Sequence, residues 1–571
     1  MIGVDSPGTS RQSWAGVAVV SVLGAAALCV WVFATPASSL RGQLVHLQFW
    51  SLETCVFLGL ALTAAVLQEV ASALDRRDLI AIAVLPLLAV GLSAGLAHRT
   101  NRIYYDEQIY QSIGQNLAAS RRAQICNDGT IEAGRLRCAR GEYNKQPYAY
   151  PHLLSLVYRF VGAGETTAFV VNAIALGISV GSLYLLVWLL FRDRLAALFA
   201  ALLLALTPEQ LLWSATAAAE PTASLACICA LLAAACFVRS RSTVALAGTA
   251  VACAYAIQYR PESLLIVPVV ALLIWQRARD EYRRPRLWWM ALLFLALAAT
   301  HVAHLAAVRN EGWGTNAERF SVAYVAGNLR VNGSFFLADA RFPVTYTLLA
   351  VVGLTAWRGV PGRAAIALYF SLFFGISLLF YAGSYDYGAD VRYALATFPA
   401  LISLAGLGAS RLVEVAARRA PRAAAGAGIA VALILQFFAL YAGVVRATDD
   451  GAWAARADVQ FARSVAGEIP PGSYVLTHNP GMFHIWGVSA GQMSLAADNP
   501  PFLDELIQRF PGGVYVHWNF WCTVQDPVQQ DYCTKVLALR ATEAVHDYRE
   551  RDRLYLLYRL TGRIRDGADP R

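Results

Sequence analysis

The sequence predicts an α-helical polytopic membrane protein of about thirteen spans, carrying a small C-terminal α/β domain. Three observations lead there: apolar blocks long enough to cross a bilayer, arginines gathered in alternate loops, and strand-like runs alternating with helix-like ones after residue 446. The 571 residues are 57% hydrophobic and 15% charged, with a mean hydropathy of +0.47. That charge is too sparse to cover a soluble protein of this length. The 47 basic residues exceed the 38 acidic ones, but most arginines sit in short loops between apolar blocks. The excess therefore speaks for membrane topology and against nucleic-acid binding.

The predicted spans are 13–34, 53–73, 79–97, 166–191, 194–210, 221–238, 243–258, 262–276, 287–307, 343–357, 364–382, 393–410 and 424–446. Most match the roughly 20 residues that a hydrocarbon core demands. The first is longer than a signal-peptide core and is read as a retained span.

Orientation follows from arginine placement. One set of alternate loops holds Arg76 and Arg77, Arg192 and Arg194, Arg239 and Arg241, Arg277 through Arg286, Arg358 and Arg363, and Arg411 through Arg422. That side is expected to be cytoplasmic, with the N-terminus inside and residues 447–571 outside. Arginine far outnumbers lysine (Lys145 and Lys535), as in GC-rich bacterial genomes, and the expected location is a bacterial inner membrane. Six of the ten cysteines fall in spans. The other four form two close pairs in predicted exterior segments, where disulfides persist, so Cys126–Cys138 and Cys522–Cys533 are predicted bridges. No cluster of histidines or further cysteines accompanies either pair, which argues against metal ligation there.

The expected organisation is 1–78 for a tail and two additional spans, 79–446 for a core with the exterior loop 98–165, and 447–571 for the soluble domain. The loop opens with Ile109, Ile113 and Leu117 at helical spacing, the pattern of an amphipathic helix on a membrane surface. Two further segments, 308–342 (with Trp313, Asn328, Arg330 and Asn332) and 383–393, also face outward. In the C-terminal part SYVLTHN, GVYVHWNF and RLYLLYRL read as strands, and ADVQFARSVA and PPFLDELIQRF as helices. No glycine-rich phosphate loop follows the first strand, so no nucleotide site is read there.

Charges that are costly where they stand mark the candidate site. Asp106 and Glu107 lie just beyond the third span, Glu220 opens the sixth, Arg260 and Glu262 occupy a tight exterior turn, and Asp386, Asp390 and Arg392 precede the twelfth. All fall near one membrane face, where ionisable groups are paired or functional. Each has a structural reading too: acids at a helix start favour its dipole, arginines snorkel, and Glu220 can pair with an arginine. Lys145 sits in a tyrosine-rich loop. With Tyr104, Tyr105, Tyr148, Tyr150, Tyr385 and Tyr387, the face offers a base, cations and aromatic rings. That set suits an amphiphilic phosphate substrate.

At YYDEQIY, NKQPYAYPHLLSLVYRFVG, SATAAAEPTASL and VRYALATFPAL, in that order, the chain resembles the GT-C membrane glycosyltransferases. It looks closest to the branch of the dolichyl-phosphate-mannose protein mannosyltransferases and the lipid A aminoarabinose transferase. The likeness covers roughly 79–410. It implies a GT-C fold and inverting transfer of a sugar, hexose or pentose, from a polyprenyl-phosphate donor to an exterior envelope glycan or glycolipid. It further implies catalytic Asp106 and Glu107, with Asp106 as base or acceptor-orienting group. Lys145, Arg260 and Arg392 would bind the donor phosphate; Tyr105, Tyr148, Glu220, Tyr385 and Asp386 would bind substrate. A divalent cation is left open. The chain departs from the pattern in Lys145-Gln146-Pro147 for Lys-Pro-Pro, in Asn144 where the aminoarabinose transferase has an acid, and in its two additional spans. Competing readings are a transporter or flippase of a lipid-linked sugar, which would spread charge through the membrane depth, and a protein O-glycosyltransferase.

Overall fold

The computed structural model describes residues 7–71, 74–311, 318–355, 362–386, 391–523 and 527–561. Trp313, Arg358, Tyr387 and Asp390, named above, lie outside them. The chain forms two compact units. One joins Met1–Arg99 with Val170–Thr448 and is helical; the other joins Thr100–Phe169 with Asp449–Arg571 and is built on a sheet. Loop 98–165, expected with the membrane core, thus shares its fold with the C-terminal segment.

Among the described residues, eight helices are long and apolar enough to cross a membrane, including Arg76–Leu96, Glu165–Phe191, Glu220–Ser240, Pro285–Ala307 and Phe398–Ala416. Four shorter apolar helices, Arg194–Ala205, Thr243–Ala256, Val344–Thr355 and Arg363–Leu379, join them. The protein is an integral multi-pass membrane protein. Several predicted blocks break at polar or proline positions. Block 262–276 is a 3-10 turn, Pro261–Leu265, followed by the helix Ile266–Arg277. Block 194–210 stops at Ala205, before Pro208 starts a short helix. Segment 308–342 contains a further helix, Val325–Ala338. Its Asn328 and Asn332 are buried and donate to the carbonyls of Ser377, Leu378, Phe380 and Gly383, closing a helix end.

The arginine loops meet one another. Arg194 holds Asp78 through two bonds of 3.0 Å and reaches Asp75 at 2.9 Å. Ser410 donates to Asp193 at 2.6 Å, Arg277 to the Leu190 carbonyl at 3.2 Å, and Arg241 to Asp280 at 3.0 Å. Loops that charge parity assigns to one side are therefore in contact at one end of the bundle.

The sheet unit has seven strands: β1 (Ile125–Glu132), β2 (Arg135–Glu142), β3 (Tyr474–Thr477), β4 (Ser489–Gln492), β5 (Val514–Trp518), β6 (Thr542–Glu550) and β7 (Arg553–Leu560). Their order is β2-β1-β4-β3-β5-β7-β6. β3 runs parallel to β4 and β5; the hairpin β1–β2 and the hairpin β6–β7 add antiparallel edges. The apolar runs of β3 and β5 fill both faces. Tyr474, Leu476, Val514 and Val516 pack with Leu503 and Leu506 on one side, and Val475 and Tyr515 with Phe461 and Phe483 on the other. The β1–β4 seam depends on Gly491: a Cβ there would stand 2.1 Å from the Tyr474 hydroxyl, which passes it to donate to Asp128 at 2.7 Å. Both predicted disulfides are formed, Cys126–Cys138 across the β1–β2 hairpin and Cys522–Cys533 beneath β5.

Candidate functional site

Each unit gathers its own set of the singled-out residues. In the helical unit Glu220 starts the helix Glu220–Ser240, Arg260 precedes the turn at Pro261, and Arg392 starts the turn Arg392–Ala396. Three element ends thereby bring three charges together. Arg260 donates Nη1 to Glu220 and Nε to Glu262, while Arg392 Nε lies 3.5 Å from the same Glu220 Oε1. Both guanidiniums stand over the Tyr393 ring, 5.1 and 5.2 Å from its centroid. Glu220 is only 3% exposed, and a carboxylate so buried is tolerated because cations hold it. Its Oε2 has no hydrogen-bond partner among the described residues. These side chains, with Ala223, Cys227 and Ser263, line a small, partly open pocket. Two cations and two carboxylates balance, so an incoming phosphate competes with the acids for the guanidiniums.

Tyr385 lies elsewhere in this unit, buried among Phe335 and Phe336, with its backbone N–H given to Asn332 at 2.8 Å. Asp386 is exposed beside it.

In the sheet unit the acid pair divides. Glu107 is fully buried, and its Oε1 accepts the backbone N–H groups of Arg102 and Ile103 at 2.7 and 3.1 Å. It holds the loop that enters the helix Asp106–Ser120. Asp106 is half-buried and accepts from Gln146 Nε2 at 3.0 Å. Tyr110, one turn on, donates to Gln146 Oε1 at 3.3 Å, so the carboxamide bridges both. The Gln146 backbone N–H is fixed by Asn144 Oδ1 at 2.7 Å, and the Tyr148 hydroxyl bonds the Asn144 carbonyl at 2.9 Å. Lys145, partly exposed, belongs to this same bend. Gln146, noted in the sequence only as a departure, is thus the residue joining Asp106 to the Lys145 loop. The helix itself does not lie on a surface: Ile113 and Leu117 are wholly buried against the helix Ala149–Val161 and the sheet.

Tyr105 turns the chain into that helix with φ +63°, a left-handed conformation that costs a tyrosine energy and needs outside support. Support comes from Tyr105 against Trp521, from Tyr104 stacked 4.0 Å from Phe520, and from Arg553, which donates to the Tyr104 hydroxyl at 2.8 Å. Beneath lies Asp458, wholly buried, which accepts the Phe520 N–H at 3.3 Å. Burial pushes its carboxyl up to about 7, with that N–H, Arg553 and Tyr105 opposing. Asp458 went unnoticed in the sequence. The signal was its place on the apolar stripe Ala455, Ala462 and Val465. His478 was missed as well: it comes alongside the second disulfide, with Nε2 4.0 Å from Cys533 Sγ. The bridged sulfurs offer no thiolate to a metal.

Architecture and charge placement together define the class: a polytopic membrane protein with a small sheet domain. Residues 145–304 match the family model described as dolichyl-phosphate-mannose-protein mannosyltransferase. In structure the chain is similar to ArnT from Cupriavidus metallidurans bound to undecaprenyl phosphate, with 16% identity, 86% of this chain and 99% of that one covered, and a TM-score of 0.51. Similarity to the archaeal oligosaccharyltransferase AglB from Archaeoglobus fulgidus, in complex with an inhibitory peptide and a dolichol-phosphate, is 12% in identity over 77% and 69% of the two chains, with a TM-score of 0.49. No curated protein matches by sequence. The chain therefore resembles the ArnT and protein mannosyltransferase branch of GT-C membrane glycosyltransferases.

Proposed function

We propose that the chain is an inverting glycosyltransferase that moves a sugar from a polyprenyl-phosphate donor to a cell-envelope glycan or glycolipid on the exterior face of a bacterial inner membrane. The observation that carries the reading is the pocket holding Arg260 and Arg392 on Glu220. Paired guanidiniums at the end of apolar spans suit a phosphate whose tail stays in lipid. The family-matched segment, 145–304, includes Lys145, Glu220 and Arg260.

In the proposed step an acceptor hydroxyl oxygen attacks the anomeric carbon. The bond from that carbon to the phosphate oxygen breaks, and its electron pair leaves on the carrier phosphate. Asp106 takes the hydroxyl proton, held in place by Gln146. Arg260, Arg392 and Lys145 stabilise the charge growing on the phosphate. Glu220 keeps both guanidiniums in register, and its Oε2 is the acceptor open to a sugar hydroxyl or a divalent cation. Glu107, Tyr105 and Tyr148 position the loops that carry Asp106 and Lys145; Asp386, exposed, is assigned to the sugar side of the donor, and Tyr385, packed on Phe335 and Phe336, supports its loop.

The test compares wild type with Asp106→Asn in membranes, following transfer from a panel of labelled polyprenyl-phosphate sugars by mass spectrometry. The expected outcome is transfer by wild type and a loss of roughly 10²–10⁴-fold in the variant. Equal transfer would remove Asp106 from the chemistry. Carrier uptake without any transfer would favour the transporter reading.

A further inference from the structure

We infer that the sheet unit holds a second binding site, a saccharide cleft at the carboxyl ends of β3 and β4, which takes one neutral sugar ring of the acceptor. Only the word acceptor rests on the transferase reading; the pocket stands on its own residues.

β3 and β4 run side by side in parallel, so both chains leave the sheet at the same edge. His478 and Asn479 follow β3 directly, and Gln492 ends β4. In open α/β sheets ligands bind in the crevice beyond such strand ends. The opposite wall is the stripe Tyr105, Ile109 and Ser112 of the helix that Asp106 begins, and Asn127 of β1 closes a side. The space is a small cleft open to solvent, so it admits the face of one ring and not a long glycan.

The lining decides the chemistry. No Lys, Arg, Asp or Glu side chain lines this pocket, which disfavours a phosphate or carboxylate ligand. Three carboxamides line it: Asn479 and Gln492 can each donate and accept, and Asn127, whose Nδ2 donates to Glu142 at 2.9 Å, leaves its oxygen to accept. Asn479 is 7% exposed, and its Nδ2 is buried without a hydrogen-bond partner. Such an orphan donor costs free energy that a ligand oxygen would recover. Sugar hydroxyls accept and donate at once, and the Tyr105 ring with Ile109 and Pro480 offers an apolar surface to a ring face. Asp106 and Tyr110 point to Gln146 on the neighbouring stripe of the same helix. An acceptor seated here is therefore one helical position away from the proposed base.

The test uses the full chain in nanodiscs and saturation-transfer NMR with the methyl glycosides of glucose, galactose, mannose, arabinose and N-acetylglucosamine. At least one glycoside is expected to bind, and binding should fall about tenfold or more, the worth of one lost hydrogen bond in a desolvated site, in Asn127→Ala and Gln492→Ala. Both positions are half-buried, and melting curves of the two variants, expected to match wild type, separate lost binding from lost fold. Asn479→Leu should lose binding with no fall in melting temperature, since it removes an unpartnered group. Failure of every glycoside to bind wild type, or equal binding by the variants, would overturn the inference. No lipid-linked donor is present, so these outcomes are independent of the transfer assay: wild type that transfers sugar while its pocket variants bind normally would sink the pocket and leave the transferase standing.

Discussion

Asp458 shows how a single side chain can carry a pH dependence. Its carboxyl titrates near 7 in the folded protein, against about 3.9 in an unfolded chain. Between these values the folded state keeps a proton that the unfolded chain has released. The stabilisation is therefore complete below about pH 4 and is lost as pH rises through about 7. Asp458→Asn should flatten this fall while still accepting the Phe520 N–H. Melting curves of both proteins from pH 4 to 8 would check it, and parallel profiles would show that no such proton exists. Legibility at this scale was uneven. Asp106, Glu220, Arg260 and Arg392 stood out because a charge beside a span is expensive. Gln146 did not, because a neutral amide carries no such warning; its role exists only once the loop folds back on the helix.

At the level of elements, helix contacts in the helical unit rest on small residues. A Cβ on Gly353 would lie 2.0 Å from the Leu404 carbonyl, and one on Gly408 1.9 Å from the Leu349 carbonyl. The helices Val344–Thr355 and Phe398–Ala416 therefore cross backbone to backbone, as small residues permit in lipid. Gly408→Val should cost at least the roughly 1–3 kcal/mol of an overpacked core, read as a lower melting temperature in detergent. A variant as stable as wild type would show that the crossing is looser than described. Spans such as Glu165–Phe191 were readable from length and hydropathy alone. The breaks at Pro208, Pro261 and Phe398 were less so, because a continuous apolar run hides a turn within it. In the sheet, β3, β5 and β7 were evident from their apolar runs. Short β4 and the polar hairpin β1–β2 were not, since their pairing is set by partners far away.

Across the whole molecule, arginine parity makes a prediction: the N-terminus and the loops at Arg194, Arg241 and Arg277 should face the cytoplasm, and residues 447–571 the exterior. Reporter fusions should give cytoplasmic activity after residue 241 and extracytoplasmic activity after residue 561. The reverse pattern would overturn both the topology and the proposed exterior chemistry. The sheet also imposes a timetable. β1 pairs with β4 at Gly129 and Ala490, so one strand must wait for another made some 360 residues later. At about 5–20 residues per second that is roughly 20–70 s of synthesis. Throughout it the hairpin can close its own Cys126–Cys138 bridge, but β1 presents a bare edge to its surroundings. A ribosome that stalls after the last span would leave that edge permanently unpaired. Such half-made chains should be the ones that envelope chaperones and proteases seize first.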